Sequence, residues 1–416
     1  MKTDLAPARH FLTGRPTPTR TGPALAALAL GGLAIGTTEF ASMGLLPQFA
    51  ADLGATVPQA GSAISAYALG VVVGAPALAI AGARWPRKRL VLVLAAALAL
   101  TNASSALAPT FETFLATRFL SGLPHGAYFG TAAVLGASLL PRAQRARAVA
   151  ATMTGLMVAN IVGVPLATWL GQALGWPSAY LAVAGIALVT MAAVALLVPD
   201  VRDERPQSIR GELSAFGRPQ VWLTMLVIAV GYGGTFAVYS YITPILTTLS
   251  GFTEAYVPLA LALFGVGMTV GNTVGGRLAE RWPMRTIAGG MAVASLAMAA
   301  FTVTAYSVVG ALLTLFVLAL ATTGTTPALN TRLMDAAPDG PTLGAACHHS
   351  AFNIANALGA ALGGAVLAAG LGYSAPAAVG AALPLLGLIV LGGSAALERR
   401  ERRRGPDPVI GSPTPG

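Results

Sequence analysis

ALAALALGGLAIGTTEFASMGLLP, residues 24 to 47, is an apolar run broken by a single carboxylate, Glu39. An α-helix rises about 1.5 Å per residue and the hydrocarbon core of a bilayer is about 30 Å thick, so roughly 20 such residues cross it. An acid in that environment costs at least about 2.5 kcal/mol, and where one occurs it faces a polar cavity or an ion path. Glu39 is therefore the first candidate for chemistry. The alternative is an acid fixed to a neighbouring helix as a packing device.

Outward from this run, the chain is 55% hydrophobic and only 10% charged, which places it among polytopic membrane proteins. Eleven further apolar runs follow, near 59 to 82, 90 to 108, 112 to 139, 148 to 171, 177 to 198, 220 to 247, 256 to 279, 286 to 305, 307 to 330, 343 to 369 and 375 to 397. The expected fold class is thus an all-α polytopic membrane protein with twelve transmembrane helices. A secretory signal peptide also begins basic and then apolar, but its apolar region is shorter and ends in a cleavage site.

The net charge of +10 would suit nucleic acid, but its placement argues otherwise. Arg84, Arg87, Lys88 and Arg89 follow the second run, Arg142, Arg145 and Arg147 the fourth, and Arg202, Arg205, Arg210 and Arg218 the sixth. Arg281 and Arg285 follow the eighth, Arg332 ends the tenth, and Arg399 to Arg404 follow the twelfth. The loops around Asp52, Glu112, Gln172, Glu254, Tyr306 and Leu371 carry no Lys or Arg. Basic residues stay on the cytoplasmic side of short loops, so both termini are expected in the cytoplasm and the protein in the plasma membrane.

Residues 47 and 244, both Pro, are separated by 197 positions; so are Gly70 and Gly267, Gly74 and Gly271, and Trp85-Pro86 and Trp282-Pro283. Asn160 and Asn356 pair at an offset of 196. This repetition predicts two pseudo-symmetric six-helix bundles around a midplane site. The divisions are a basic tail (1–22), a first bundle (23–198), a cytoplasmic linker (199–219), a second bundle (220–397) and a basic tail (398–416). A short interfacial helix is expected near Ile209 to Phe216.

The chain has two lysines, Lys2 and Lys88, and neither ends a G-x-x-x-x-G-K, so no nucleotide is expected. Cys347 is the single cysteine, and there is no H-E-x-x-H. No metal or cofactor is therefore expected apart from protons as the coupling ion. Gly136-Ala137-Ser138 is a weak echo of an intramembrane serine protease, but Ser138 falls at the end of its run, so an enzyme is not expected.

Away from loops and tails, five titratable groups remain: Glu39, Arg118, His125, His348 and His349. Glu39 lies about 12 Å inside Pro47 and Arg118 about 9 Å inside Glu112, so their depths match and an ion pair is geometrically allowed. Burial and a nearby guanidinium act on a carboxyl's proton affinity in opposite senses, so separating such a pair makes a proton switch. His125, in Pro124-His125-Gly126, falls near the bilayer middle and is either a substrate or proton contact or a neutral packing group. His348 and His349 are expected to pack near the cytoplasmic end. Tyr67, Tyr128, Asn160, Trp169, Tyr232, Tyr239 and Asn356 are candidate cavity linings, although aromatics also suit the core or the interface belt.

These residues resemble the major facilitator superfamily, in particular its twelve-helix drug:proton antiporter branch. The resemblance is carried by Thr38-Glu39-Phe40 with Gly44-Leu45-Leu46-Pro47, by YALGVVVGAP at 67–76, SGLPHGAYFG at 121–130, VANIVGVPLATWLG at 158–171, VPDVRDE at 198–204 and GRLAERWPMR at 276–285. The segment Thr38-Glu39-Phe40 with Gly44-Leu45-Leu46-Pro47 is similar to the first-span signature of arabinose and sugar efflux permeases and chloramphenicol exporters. The resemblance implies a proton-coupled exporter of small molecules working by alternating access, and a monomer is expected. Its substrate would be a sugar such as arabinose or an antibiotic of the chloramphenicol type. An uncoupled facilitator, in which Glu39 and Arg118 form a fixed pair, is the competing transport class.

The resemblance further assigns proton handling to Arg118 and half-to-half packing to the fifth-span antiporter motif with Gly163, Pro165 and Gly171. Val164-Pro165 stands where that motif usually has Gly-Pro. The cytoplasmic gate would use Arg84, Arg87, Lys88, Glu280, Arg281 and Arg285. By the 197-residue offset the acidic gate position holds Ala83 in the first half, whereas the second half keeps Glu280.

Overall fold

Backbone buried in hydrocarbon must satisfy its own N–H and C=O groups, and a helix does so within one segment. In the computed structural model, which describes residues 18–82, 84–141, 144–200, 217–337 and 341–404, all regular structure is helical. The first half contains α1 (Pro18–Gly44), α2 (Leu46–Asp52), α3 (Val57–Ala81), α4 (Arg87–Ala106), α5 (Phe111–Ser138), α6 (Arg145–Val158), a π-helical turn (Ala159–Gly163), α7 (Val164–Leu174) and α8 (Pro177–Leu197). The second contains α9 (Pro219–Tyr239), α10 (Ile242–Leu249), α11 (Val257–Arg281), α12 (Pro283–Thr304), α13 (Val308–Gly324), α14 (Thr326–Ala336), α15 (Pro341–Ala368) and α16 (Ala375–Arg404).

These helices make twelve crossings, since α1 with α2, α6 with α7, α9 with α10, and α13 with α14 each continue one another. Eleven crossings are long and apolar enough to span a membrane by length and composition. The twelfth is α5, whose 28 residues reach about 42 Å at helical rise. It carries Glu112, Arg118 and His125. Reciprocal capping boxes fix two of the starts, Thr56 with Gln59 at α3 and Thr110 with Thr113 at α5, and the Ser307 hydroxyl caps α13 by accepting from Gly310 N.

Two boundaries differ from the sequence expectation. The first helix begins at Pro18, inside the segment read as a tail, and α16 runs on to Arg404 through the basic cluster. Unpaired helix-end carbonyls favour positive charge, so arginines extend a C-terminal turn readily. The interfacial helix expected near Ile209 to Phe216 and the gate position Ala83 lie outside the described residues, as do most of the linker and the ends of both tails.

The repeat is visible in the packing. In the first half α1 packs on α6 and α8, α3 on α5, and α4 on α8; in the second, α9 packs on α15 and α16, α11 on α13, and α12 on α16. In the leading helices α1 and α9, 78% of the residues in the most apolar 18-residue stretch are buried, whereas Leu100, Leu196, Leu296 and Ile389 lie exposed on α4, α8, α12 and α16. Leucines turned outward there suit a lipid surface. Small residues permit the close pairs: a methyl group on Gly70 of α3 would collide with the Phe119 carbonyl of α5, and one on Gly271 of α11 with the Leu320 carbonyl of α13.

The halves meet along α3 with α15 and along α11 with the π-turn and α7. At the end opposite the basic loops they are also tied polar group to polar group. Thr243 of α10 donates to the carbonyls of Met43 at 3.3 Å and Gly44 at 2.9 Å. Gln172 donates to the Glu254 carbonyl at 3.0 Å, and Gln48 reaches the Glu254 carboxylate at 3.5 Å.

Candidate functional site

Arg118 is fully buried, and an uncompensated guanidinium there would be expensive. Helix α1 supplies the compensation. Arg118 Nη1 donates to Thr38 Oγ1 at 3.0 Å and Nη2 to the Thr38 carbonyl at 3.0 Å, while the Thr38 hydroxyl donates to Asn102 Oδ1. The guanidinium carbon lies 4.4 Å from the ring centre of Tyr67 and 5.2 Å from that of Tyr180, so two aromatic faces complete its cage.

Glu39 is 2% exposed. It makes no ion pair within 4.0 Å among the described residues, and its Oε1 has no hydrogen-bond partner. It nevertheless lies within electrostatic reach of Arg118 and of the Tyr67 hydroxyl. Its polar neighbour across the half interface is Asn356, buried on α15, whose amide oxygen and nitrogen both lack hydrogen bonds of normal geometry. The matched depths of Glu39 and Arg118 thus bring them together, but the arginine grips the residue before the acid. The carboxylate is held near a cation without being locked to it.

Tyr67 continues the site toward the basic end. Its hydroxyl lies 3.1 Å from His125 Nδ1, and the His125 ring centre is 5.9 Å from that of His349 on α15. Phe129, one turn on from His125, stacks on His349 at 5.1 Å. His349, expected as an end-packing group, instead meets α5 across the half interface; His348 is buried beside it with Nδ1 unpartnered.

One residue beyond Glu39, Phe40 closes an apolar cavity with Tyr232, Phe236, Tyr239, Phe264 and Phe352 of the second half. Most hydroxyls at its edge are engaged: Thr235 with Thr322 at 2.9 Å, Thr323 with the Met268 carbonyl at 2.9 Å, and Tyr232 with Thr325 and Thr326 at 2.8 Å each. Its free volume is about 20 Å³, the size of one water, so the halves are closed around it.

The remaining expected linings divide. Tyr232 and Tyr239 face the cavity, Tyr239 stacking on Phe264 at 4.1 Å. Tyr128 does not: it is locked in the first-half core with its hydroxyl on the Leu28 carbonyl at 3.0 Å. Trp169 does not either, being 56% exposed on the outside of α7. Asn160 spends its amide nitrogen on the Leu156 carbonyl of its own helix at 2.9 Å. It sits in the π-turn at Ala159–Gly163.

In the antiporter motif, a methyl group on Gly163 would strike Thr37 and one on Gly171 would strike Leu45, while Pro165 is buried at the start of α7. These positions seat the fifth crossing on the first. Of the gate residues, Arg84, Glu280, Arg281 and Arg285 are exposed at the basic end, Arg281 lying over the Trp282 ring at 4.9 Å. Lys88 turns inward to its own half, toward the Ala195 carbonyl at 3.1 Å and Asp200 at 3.7 Å; Arg87 also starts α4 there. Arg332, read only as a basic marker, binds Ser394 at 2.9 Å and Glu398 at 3.3 Å and ties α14 to α16.

Thr38, Asn102, Tyr180, Phe236, Phe264 and Phe352 were not among the expected site residues. Asn102 carried a signal, because an amide inside an apolar run requires a partner. Nothing in the spacing distinguishes the three phenylalanines from ordinary core.

Comparison with known proteins agrees with this architecture. The model of the Major Facilitator Superfamily matches residues 28–346. The chain is 40% identical to the inner membrane transport protein YdhP of Escherichia coli (strain K12), over 92% of this chain and 97% of that protein. It is 34% identical to the putative transporter AraJ of the same organism, over 93% and 98%. It is also 33% identical to a chloramphenicol resistance protein of Streptomyces lividans, over 83% and 88%. Among solved structures, a bacterial homologue of the human lysosomal transporter Spinster, in an inward-facing and unoccupied conformation, superposes with a TM-score of 0.69 at 16% identity, covering 91% of this chain and 96% of that one. The chain belongs to the Major Facilitator Superfamily and is a multi-pass membrane transporter for small molecules, not an enzyme.

Proposed function

We propose that this transporter is a proton-coupled exporter of a small, neutral, aromatic molecule, with Glu39 as the proton-binding group and Arg118 as the fixed charge that modulates it. The observation that carries the reading is the unlocked carboxylate of Glu39, buried one residue from the aromatic cavity and facing Asn356 of the other half. A proton on Glu39 removes the cost of its buried charge, so the closed state forms more readily with the acid neutral. Movement of α15 relative to α1 changes its polar surroundings and with them its hold on the proton.

The cavity supports the substrate class. Aromatic rings stack on a flat apolar molecule, whereas a sugar leaving water needs several hydrogen-bonding groups, and the threonine hydroxyls at this wall are already bonded within the second half, Thr235 to Thr322 and Thr323 to the Met268 carbonyl. A molecule of the chloramphenicol type, a neutral nitrobenzene derivative, fits that lining better than arabinose. The basic end is assigned to the cytoplasm, with both termini there, and the plasma membrane as the location. One chain holds the whole site, which suits a monomer.

Inverted membrane vesicles with an imposed pH gradient test this, with labelled chloramphenicol and labelled arabinose as parallel probes. Chloramphenicol uptake that follows the gradient and is lost in Glu39→Gln is expected. Uptake that ignores the gradient in the native protein would instead identify an uncoupled facilitator.

A further inference from the structure

With Glu39 only 2% exposed, its proton needs a route in the closed state, and one runs toward the basic end. We propose that Tyr67, His125 and His349 form a proton relay between Glu39 and the cytoplasmic solvent, an inference that rests on the reading of Glu39 as the coupling acid. The Tyr67 ring centre lies 4.4 Å from the guanidinium of Arg118, which is bonded to Thr38, the residue before Glu39, and the Tyr67 hydroxyl is 3.1 Å from His125 Nδ1. The His125 and His349 ring centres are 5.9 Å apart, a gap that one bridging water spans. His125 is midway along α5, and His349 lies about 12 Å from the start of α15 at helical rise. Unlike His125, His349 is partly exposed.

The transfers balance. Glu39 gives its proton through a bridging water to the Tyr67 oxygen as Tyr67 gives its own to His125 Nδ1; His125 then releases its Nε2 proton to His349, which passes one to solvent. The groups left are carboxylate, phenol and neutral imidazoles, and a return of His125 to its first tautomer resets the chain. The charged or titratable groups facing the path are Glu39 of α1, Tyr67 of α3, Arg118 of α5 and His348 of α15. Arg118 is fastened to Thr38 and stacked on Tyr67, which fixes the Tyr67 ring toward His125. Phe129 stacked on His349 fixes the other end. The two histidines sit on opposite halves, so the relay is continuous when α5 and α15 are in contact and is cut when they part. Such a connection would open the acid to one face at a time.

Time-resolved infrared spectroscopy of the purified protein in nanodiscs after a pH jump follows the acid without any substrate. The native protein should show a protonated-carboxyl band that Glu39→Gln removes. His125→Phe and His349→Ala should keep the final amplitude of that band but form it at least tenfold more slowly, with added imidazole restoring the rate in His349→Ala. His349→Gln, which retains a polar side chain, should be slow without imidazole rescue. Unchanged rates in both His125→Phe and His349→Ala would overturn the relay and leave the proton-coupled reading standing. A native protein with no such band would overturn both.

Discussion

Replacing Thr38 by valine removes one hydroxyl and keeps the shape of the side chain. That oxygen accepts from Arg118 Nη1 at 3.0 Å and donates to Asn102, while the second arginine bond goes to the Thr38 backbone carbonyl and survives the change. A hydrogen bond to a charged group contributes about 1.5–3 kcal/mol, whereas neutral bonds between membrane helices average about 0.6 kcal/mol. The arginine contact therefore dominates, and Thr38→Val should cost about 2 kcal/mol, roughly a thirtyfold shift in the unfolding constant. A double-mutant cycle of Thr38→Val with Arg118→Leu, followed by reversible denaturation in mixed micelles, isolates the pair. A coupling energy near 2 kcal/mol is expected, with Thr38→Ser close to native. A coupling below about 0.5 kcal/mol would refute the claim that Thr38, rather than Glu39, anchors the buried guanidinium.

Gly70→Ala should sharply lower the thermal stability of the purified protein, because the new methyl meets the Phe119 carbonyl, whereas Gly130→Ala meets nothing and should be neutral or slightly stabilising. Thr243→Val removes the bonds from α10 to Met43 and Gly44. At about 1 kcal/mol it should raise the population open at the end opposite the basic loops roughly fivefold, read as spin-label distances across that mouth. Trp169→Leu, on the outer face of α7, should leave the rate and specificity of vesicle transport unchanged, while Phe264→Ala, in the cavity wall, should weaken binding of an aromatic substrate about tenfold by competition assay.

The sequence by itself determined the crossings, the twofold repeat and the depth of each buried charge. Hydrocarbon demands about 20 apolar residues per helix whatever the neighbours do, and rise along a helix is simple arithmetic. It therefore placed Arg118 at the level of Glu39. What arithmetic along the axis leaves open is direction around it, because each residue turns the helix by about 100°. Thr38 and Glu39 share a depth, and only packing against α5 decided that the threonine meets the arginine while the acid faces Asn356. Trp169 and Tyr128 were legible as aromatics in crossings, but only the fold leaves Trp169 exposed on α7 and bonds the Tyr128 hydroxyl to the Leu28 carbonyl. The contact of His125 with His349 joins residues more than 200 positions apart on opposite halves, and it exists only because α5 and α15 are brought together by the tertiary fold.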